Sequence, residues 1–219
     1  MKRVVVEKKI LERNEESAKK IREILQDKGV FALNFMASPG AGKTTVIEKT
    51  IEALKDDYKI SYIDGDLDTD RDASRIKKLG IDVVQINTSG ACHLDADMVL
   101  RALEKVSLDC ELLIIENVGN LVCPATFDIG AHKNVVILSV PEGDDKVKKY
   151  PVMFSVADVV LLNKVDLLKF LDFDVEKVKR ELKEINPRAD FMELSAIDGY
   201  GFDRWLDYLK NLMDKHSLV

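Results

Sequence analysis

Lys43 and Thr44, two residues suited to phosphate chemistry, follow a loop of small residues. An apolar run of strand length at 31–36 leads into that loop, and a helical pattern of apolar residues begins after it. Strand, small-residue loop, Gly-Lys-Thr and helix, in that order, predict a phosphate-binding loop whose N–H groups and helix dipole attract phosphate. Lys43 would contact the β- and γ-phosphates of a nucleotide, and the Thr44 hydroxyl would ligate Mg²⁺. The predicted nucleotide contacts of this segment are Ser38, Pro39, Gly40, Ala41, Gly42, Lys43, Thr44 and Thr45.

Ala37 stands where this kind of loop usually begins with glycine. Alanine fits only if the backbone φ there is negative, because positive φ is costly for a residue with a Cβ. We therefore expect ordinary φ at Ala37. A glycine-rich turn before an unrelated helix is the alternative, and the accompanying Lys and Thr argue against it.

Asn163, Lys164 and Asp166 close another apolar strand candidate, where residues of a parallel sheet face the ligand crevice. The Asp166 carboxylate can accept from the N1–H and 2-amino groups of guanine, whereas adenine offers it only a lone pair. Lys164 can lay its stem along the base while its ammonium stays in water. Ser195-Ala196 follows a later strand and can place a backbone N–H on the guanine oxygen. These signals favour GTP over ATP.

Glu116 ends the apolar segment LLIIE, and Asn117, Val118 and Gly119 follow it. Its carboxylate suits a water bound to Mg²⁺, and Gly119 allows the loop to approach the γ-phosphate. The spacing is similar to the D-x-x-G of GTPases, after which Ras-type proteins place the Gln that orients the attacking water. Asn120 stands there with a shorter amide, so we expect slow unassisted hydrolysis.

Alternating aspartates follow the second strand candidate, at Asp64, Asp66, Asp68, Asp70 and Asp72. An EF-hand is excluded, because its sixth position would be Thr69 instead of Gly and its twelfth Arg75 instead of Glu. Asp70 and Asp72 fit the acid enrichment of a helix N-terminus. Asp66, just past the predicted strand end, is the better Mg²⁺ ligand, and repulsion among the acids predicts a switch loop. The predicted catalytic residues are Lys43, Asp66 and Glu116.

Cys92, His93 and Cys123 form a second candidate site, since thiolate and imidazole suit zinc or nickel. Three ligands leave a tetrahedral shell incomplete, and a two-fold partner could complete it, which predicts a metal-bridged homodimer. Buried structural thiols beside a surface histidine are the alternative. The position of Cys123 directly after ENVGN favours a metal. The remaining thiol and imidazoles are interpreted as structural or incidental, and the two histidines as having no clustered partner: Cys110, His132 and His216.

The whole chain has 219 residues, 46% hydrophobic and 33% charged, which is typical of a globular α/β protein of one domain. It has no apolar run of membrane-spanning length, and its N-terminus turns charged too early for a signal peptide, so we expect a cytoplasmic protein without membrane contact. A net charge of −6 argues against nucleic-acid binding. Three cysteines are too few for a disulfide framework.

Strand and helix patterns alternate along the chain after an amphipathic first helix, which predicts a mostly parallel sheet with helices on both faces. The first helix is expected to pack on the flank of the core. The predicted strands lie at 31–36, 59–64, 81–86, 111–116, 134–140, 157–163 and 190–194, and the predicted helices at 7–28, 43–55, 70–79, 95–106, 174–185 and 202–214.

The chain resembles the HypB-type GTPases that help insert nickel into [NiFe]-hydrogenases, which are relatives of the urease accessory GTPases. The similarity spans about residues 8–210, and CHLDA together with ENVGNLVCP is its most specific part. The resembling segments are SPGAGKTT (38–45), GDLDTDRDASRI (65–76), ACHLDADMV (91–99), ENVGNLVCP (116–124), PEGDDKVKKYP (141–151), NKVD (163–166) and LSA (194–196).

This resemblance implies a P-loop NTPase fold of the SIMIBI type, Mg²⁺-dependent GTP hydrolysis and GTP-linked dimerisation. It also implies nickel delivery to a hydrogenase large-subunit precursor together with a nickel accessory protein. Lys43 and Thr44 carry over as phosphate and magnesium contacts, and Asp166 as the guanine reader. The metal ligands, for nickel or zinc, carry over as Cys92, His93 and Cys123. Some members have an N-terminal cysteine motif or a histidine-rich stretch, which this sequence lacks, so we expect no high-affinity nickel storage.

The leading hypothesis is therefore a GTP-switched metallochaperone. A P-loop small-molecule kinase is an alternative that would need an acceptor pocket and would not need the guanine-reading motif. A scaffold that binds nucleotide without turnover is another. A urease accessory GTPase is the nearest rival, and the Cys92-His93 pair with ENVGNLVCP favours the hydrogenase branch.

Overall fold

The computed structural model describes residues 6–66 and 71–217, without the side chains of 6–8 and 71. Within these ranges the strands form one seven-stranded sheet in the order β3-β2-β4-β1-β5-β6-β7, and neighbouring strands are parallel. The strands are β1 (Phe31–Ala37), β2 (Ile60–Asp66), β3 (Asp82–Asn87), β4 (Leu112–Glu116), β5 (Lys133–Ser139), β6 (Val159–Asn163) and β7 (Asp190–Glu193).

Helices cover both faces of this sheet, because the central strands are apolar on both sides. Leu33 and Phe35 share a buried cluster with α2 and α8, whereas Ala32 belongs to a cluster with α1 and α4. The predicted parallel α/β fold is thus confirmed, and buried residues of α1 pack in the second of these clusters. The helices are α1 (Val6–Lys28), α2 (Lys43–Leu54), α3 (Arg71–Lys77), α4 (Ala96–Leu103), α5 (Lys146–Lys149), α6 (Pro151–Ser155), α7 (Val175–Ile185) and α8 (Phe202–Ser217).

Trp205 anchors α8 on the sheet. It is fully buried, its ring meets Phe35 edge-on at 6.1 Å between centroids, and its Nε1–H donates to Thr50 Oγ1 at 2.9 Å. Complete burial of a large apolar side chain contributes roughly 1.5–3 kcal/mol. The core therefore holds α2, which begins at Lys43, firmly under the phosphate-binding loop.

The carboxyl ends of the parallel strands bring the candidate site residues to one edge of the sheet. Phe35 pairs with Glu116, and Ser139 pairs with Asn163. Ala37 ends β1 with the negative φ that an alanine requires, since the described non-glycine residues with positive φ are Ser89 and Lys164. The condition for a phosphate-binding loop without its first glycine is met.

Three details differ from the sequence predictions. Asp66 is the last residue of β2 and does not lie past its end, because pairing with β3 extends β2 two residues beyond its predicted end at 64. The short helices α5 and α6 were not predicted, since Pro151 interrupts a pattern too short to recognise. His132 and His216 are not isolated: their ring centroids lie 4.5 Å apart, and both rings contact Phe31. Among the described residues, no helix is both long and apolar enough to cross a bilayer.

Candidate functional site

A cleft of about 540 Å³ opens at the carboxyl ends of β1, β2 and β4. Most of the predicted nucleotide and magnesium residues line it. Ala41 does not: it is fully buried in the core, and its N–H donates to Ser38 O at 3.3 Å, which shapes the loop. The predicted residues that line the cleft are Ser38, Pro39, Gly40, Gly42, Lys43, Thr44, Thr45, Asp66, Glu116, Gly119 and Lys164.

Glu116 is the centre of the cleft and is almost completely buried. Its Oε1 lies 2.5 Å from Lys43 Nζ and accepts from Thr44 Oγ1 at 2.7 Å. Its Oε2 accepts from the Tyr62 hydroxyl at 2.5 Å. Burial, and then the nearby charge of Glu116, raises the pKa of Tyr62, so this hydroxyl stays a donor. One carboxylate thus holds together the predicted phosphate lysine and magnesium threonine.

Asp64 is a cleft residue that the sequence interpretation did not select. It is 2% exposed, and its Oδ2 has no hydrogen-bond partner among the described residues. Burial, followed by the charge of Glu116, raises the pKa of Asp64 to about 7. The alternation along β2 could have indicated Asp64, because Tyr62, Asp64 and Asp66 share one face of the strand. In the structure Asp64 pairs in register with Glu116.

These oxygens fit a Mg²⁺ ion by their chemistry. Mg²⁺ prefers hard oxygen ligands and binds through one or two carboxylates and substrate phosphates. The cleft offers the Thr44 hydroxyl and the carboxylates of Asp66 and Glu116, and the Asp64 carboxylate also lines it.

Asp72 and Arg75 of α3 also line this cleft. Asp72 is the acid in the first turn of α3, as the sequence predicts, and it also lines the cleft. The Arg75 guanidinium lies 2.5 Å from a carboxylate oxygen of Glu48 and 3.7 Å from one of Asp72. Arg75 therefore adds a positive charge to the cleft that the sequence did not reveal. Asp68 and Asp70, of the predicted switch loop, lie outside the described residues.

The loop backbone is held from the neighbouring strand ends. Asn163 Nδ2 donates to Ala41 O at 2.9 Å, and Lys164 Nζ donates to Gly40 O at 2.6 Å. The Lys164 ammonium is therefore bound to the loop through a solvent-exposed hydrogen bond. Gly42 has a φ of 92°, and a Cβ there would lie 2.5 Å from Asn163 Nδ2, so glycine is required.

Asp166 lies in a second cleft, of about 210 Å³. Its Oδ1 accepts from the Ser195 hydroxyl at 2.7 Å, which orients the carboxylate. The N–H of Ser195 donates to Tyr200 O at 2.9 Å and that of Ala196 donates to Asn163 Oδ1 at 3.3 Å. The backbone N–H groups of both residues are thus hydrogen-bonded within the protein. Ser195 contacts Asp166 through its side-chain hydroxyl, and Ala196 contacts Asn163 through its N–H.

Cys92, His93 and Cys123 come together as predicted, with ligand atoms that all lie within 4.8 Å of one another. Cys92 Sγ is 3.9 Å from His93 Nδ1, and the His93 ring stacks on Phe127 with 4.1 Å between centroids. Burial lowers the pKa of His93, which favours the neutral ring that binds metals. Hydrogen bonding to Cys92, and then burial, raises the pKa of Cys123. Two sulfurs and one nitrogen fit zinc or nickel.

Asn120 connects this cluster to the segment that follows Glu116. Its Nδ2 donates to Cys92 O at 3.2 Å, and its Oδ1 accepts from Val122 N at 2.9 Å. The amide is directed to the loop that carries Cys92 and His93, the metal-binding loop of this candidate site, and not to the phosphate loop, where a Ras-type Gln would act. Cys110 is buried in the core, where desolvation raises the pKa of its thiol, in keeping with the structural interpretation.

Comparison with known proteins identifies this architecture. Residues 32–193 match the family model of the CobW/HypB/UreG nucleotide-binding domain. The chain is 49% identical over 208 residues to the hydrogenase maturation factor HypB of Azotobacter chroococcum, covering 94% of this chain and 68% of that protein. The crystal structure of HypB from Archaeoglobus fulgidus superposes with a TM-score of 0.88 at 45% identity, over 93% of this chain and 100% of that one.

HypB from Helicobacter pylori, crystallised in complex with nickel, matches with a TM-score of 0.87 at 41% identity, over 94% of this chain and 97% of that one. FlhF, at 19% identity and a TM-score of 0.57, over 86% of this chain and 82% of that one, shows the SIMIBI-type fold alone. The family match, the identity over nearly the full length and the shared fold agree with the motifs and their geometry. The chain belongs to the HypB hydrogenase maturation factors of the CobW/HypB/UreG family.

Proposed function

We propose that this protein is a GTP-hydrolysing metallochaperone that assists nickel insertion into [NiFe]-hydrogenase. It would act in the cytoplasm as a homodimer, with a nickel accessory protein and a hydrogenase large-subunit precursor as partners. The metal carried at Cys92, His93 and Cys123 would be nickel or zinc. Its binding would be linked to the state of the nucleotide.

One observation carries this proposal: the segment 116–123 begins in the nucleotide cleft and ends in the metal cluster. Glu116 contacts Lys43 and Thr44 at one end, and Cys123 lies within 4.8 Å of the other two metal ligands at the other. Between them, Gly119 packs on Pro39 of the phosphate loop so closely that a Cβ would lie 3.3 Å from its Cα. A change at the terminal phosphate would therefore alter the position of the whole segment, from Glu116 to Cys123.

The chain's own residues account for the proposed hydrolysis as follows. Lys43 would neutralise charge on the β- and γ-phosphates, and the loop N–H groups would bind their oxygens. Asp66, Glu116 and Thr44 would hold Mg²⁺, which neutralises the charge that develops on the phosphates. Asp166 would select guanine, with Asn163 and Lys164 fixing the loop beneath it. Loss of the γ-phosphate would release Gly119 and shift Cys123, an order–disorder change of the kind GTPase switches use.

The test compares two thiol replacements in the purified chain. Cys123→Ser removes a cluster ligand, and Cys110→Ala removes a buried thiol outside the cluster as the matched control. We expect Cys123→Ser to lower Ni²⁺ and Zn²⁺ binding at least tenfold and to change subunit association with a non-hydrolysable GTP analogue, while Cys110→Ala changes neither. Unchanged metal binding and association in Cys123→Ser would contradict the proposal. GTP turnover that ATP cannot replace, and that Lys43→Ala abolishes, is expected; a kinase or a scaffold would lack it.

A further inference from the structure

Two asparagines of the segment after Glu116 hold the backbone of the metal-binding loop. Asn117 is fully buried, and its Oδ1 accepts from Leu94 N at 3.0 Å. Asn120 Nδ2 donates to Cys92 O at 3.2 Å. The two bonds therefore flank His93, one on the residue before it and one on the residue after it.

The Asn117 amide is itself fixed in the interior. Its Nδ2 donates to Asn34 Oδ1 at 3.2 Å, and Asn34 Nδ2 donates to Asn134 Oδ1 at 2.9 Å. Asn117 N also donates to Phe35 O at 3.0 Å, which continues the pairing of β4 with β1. A buried amide in such a network cannot rotate without leaving polar groups unpaired. The position of Leu94 N is thereby tied to the strand end that carries Glu116.

The metal-binding loop has a second anchor that does not involve the nucleotide cleft. Asn14 of α1 is also buried, and its Oδ1 accepts from Ala96 N at 2.8 Å. Its Nδ2 donates to Asp128 O at 2.8 Å, beside the Phe127 ring that stacks on His93. Asn14 and Asn117 thus make the same kind of bond from different parts of the fold, Asn117 to Leu94 and Asn14 to Ala96, the first residue of α4 directly after the loop.

We propose that Asn117 and Asn120 are the positioning residues that transmit the nucleotide state to the metal-binding loop, whereas Asn14 only fixes that loop to α1. This inference rests on the proposed function, because it names the contacts by which that function would couple its two sites. A shift of Glu116 along its strand moves Asn117 with it, and the bonds to Leu94 N and Cys92 O carry the shift to both sides of His93. Coupling between two sites needs such differential contacts in the two states.

The test measures Ni²⁺ affinity with Mg²⁺–GDP and with a Mg²⁺-bound non-hydrolysable GTP analogue, and takes the ratio of the two dissociation constants. Coupled sites typically give a ratio of about 5–150. For the wild-type chain we expect a ratio of at least about 5, and for Asn117→Ala a ratio within about twofold of one. Asn14→Ala is the matched control. It should weaken Ni²⁺ binding in both nucleotide states and leave the ratio as in wild type, since a merely structural role does not move the ratio.

Asn120→Ala is a second variant for the same measurement, at a half-buried position, in case Asn117→Ala fails to fold. We expect Asn120→Ala to reduce the ratio at least twofold. A wild-type ratio near one would overturn the proposed function itself. If wild type gives the expected ratio and both Asn117→Ala and Asn120→Ala keep it, this inference alone is overturned. An equal loss of the ratio in Asn14→Ala would also overturn it, because any anchor of the loop would then suffice.

Discussion

The Tyr62 hydroxyl donates to Glu116 Oε2 at 2.5 Å inside the core, so a tyrosine of β2 orients the carboxylate that meets the phosphate lysine. Tyr62→Phe removes this bond and keeps the ring. A hydrogen bond to a charged group contributes about 1.5–3 kcal/mol, and we expect a loss of that size in the free energy of unfolding, measured by urea denaturation. Tyr58→Phe, outside the cleft, is the control. Equal stability of Tyr62→Phe and wild type would show that Glu116 does not depend on Tyr62.

The Gly42 position should tolerate no side chain. Gly42→Ala would push against Asn163 Nδ2 and break its bond to Ala41 O, whereas a Cβ at Gly40 meets nothing within 4 Å. Both substitutions strain a positive φ, at a cost on the order of 1–3 kcal/mol. We expect Gly42→Ala to weaken GDP binding at least about tenfold more than Gly40→Ala does, as measured with a fluorescent GDP analogue. Indistinguishable affinities of the two variants would rule out the proposed contact with Asn163.

Guanine selection should depend on Asp166 and on the hydroxyl that orients it. Asp166→Asn replaces a double acceptor with a group that repels the 2-amino group, and we expect GDP affinity to fall about 100-fold, or ~2.7 kcal/mol. Ser195→Ala removes the 2.7 Å hydrogen bond to Asp166 and should lower GDP affinity about tenfold. Competition with ADP measures the specificity. If Asp166→Asn binds GDP as wild type does, Asp166 is not the guanine reader.

The pair formed by His132 and His216 predicts a pH dependence far from the nucleotide. Burial lowers the pKa of His132 from its ordinary value of 6.5 to about 4, with the charges of His216, Arg22 and Lys133 adding to the effect. Between pH 6.5 and about 4, His132 is therefore protonated in the unfolded chain but remains neutral in the folded chain. Stability is lost as the pH falls through this interval.

His132→Asn tests this titration, because the amide oxygen can still accept from Ala32 N, as His132 Nδ1 does at 3.0 Å. Urea midpoints at pH 7 and pH 5 give the comparison, and groups common to both proteins cancel in the difference. We expect wild type to lose more stability than His132→Asn between the two pH values. The same loss in both proteins would mean that His132 titrates normally in the folded state.

The sequence predicted the parts of this molecule that depend on local pattern. Continuously apolar segments such as LLIIE marked buried parallel strands, and the Gly-Lys-Thr order marked the phosphate loop before α2. Cys92, His93 and Cys123 could be grouped because thiol and imidazole are rare and chemically alike. Such signals require no knowledge of distance.

The remaining site residues could not be found in this way, because their roles depend on contacts between distant segments. Asp64 looked like one of several loop acids, and only its register with Glu116 makes it a buried member of the cleft. Asn117 and Asn14 are ordinary polar residues in the sequence, and the two neighbouring backbone bonds they make appear only when β4 and α1 have packed. His132 and His216 are 84 residues apart in the sequence, and their rings meet at Phe31.

In the proposed function, one segment, 116–123, connects the terminal phosphate of GTP to a soft metal ion. Linkage requires the effect to be reciprocal, so metal must change nucleotide affinity by the same factor as nucleotide changes metal affinity. The most direct measurement is the dissociation constant of a non-hydrolysable GTP analogue with and without saturating Ni²⁺, beside the same pair for GDP. We expect Ni²⁺ to change the dissociation constants of the two nucleotides by factors that differ at least about fivefold. Identical shifts, or none, would contradict the proposed function.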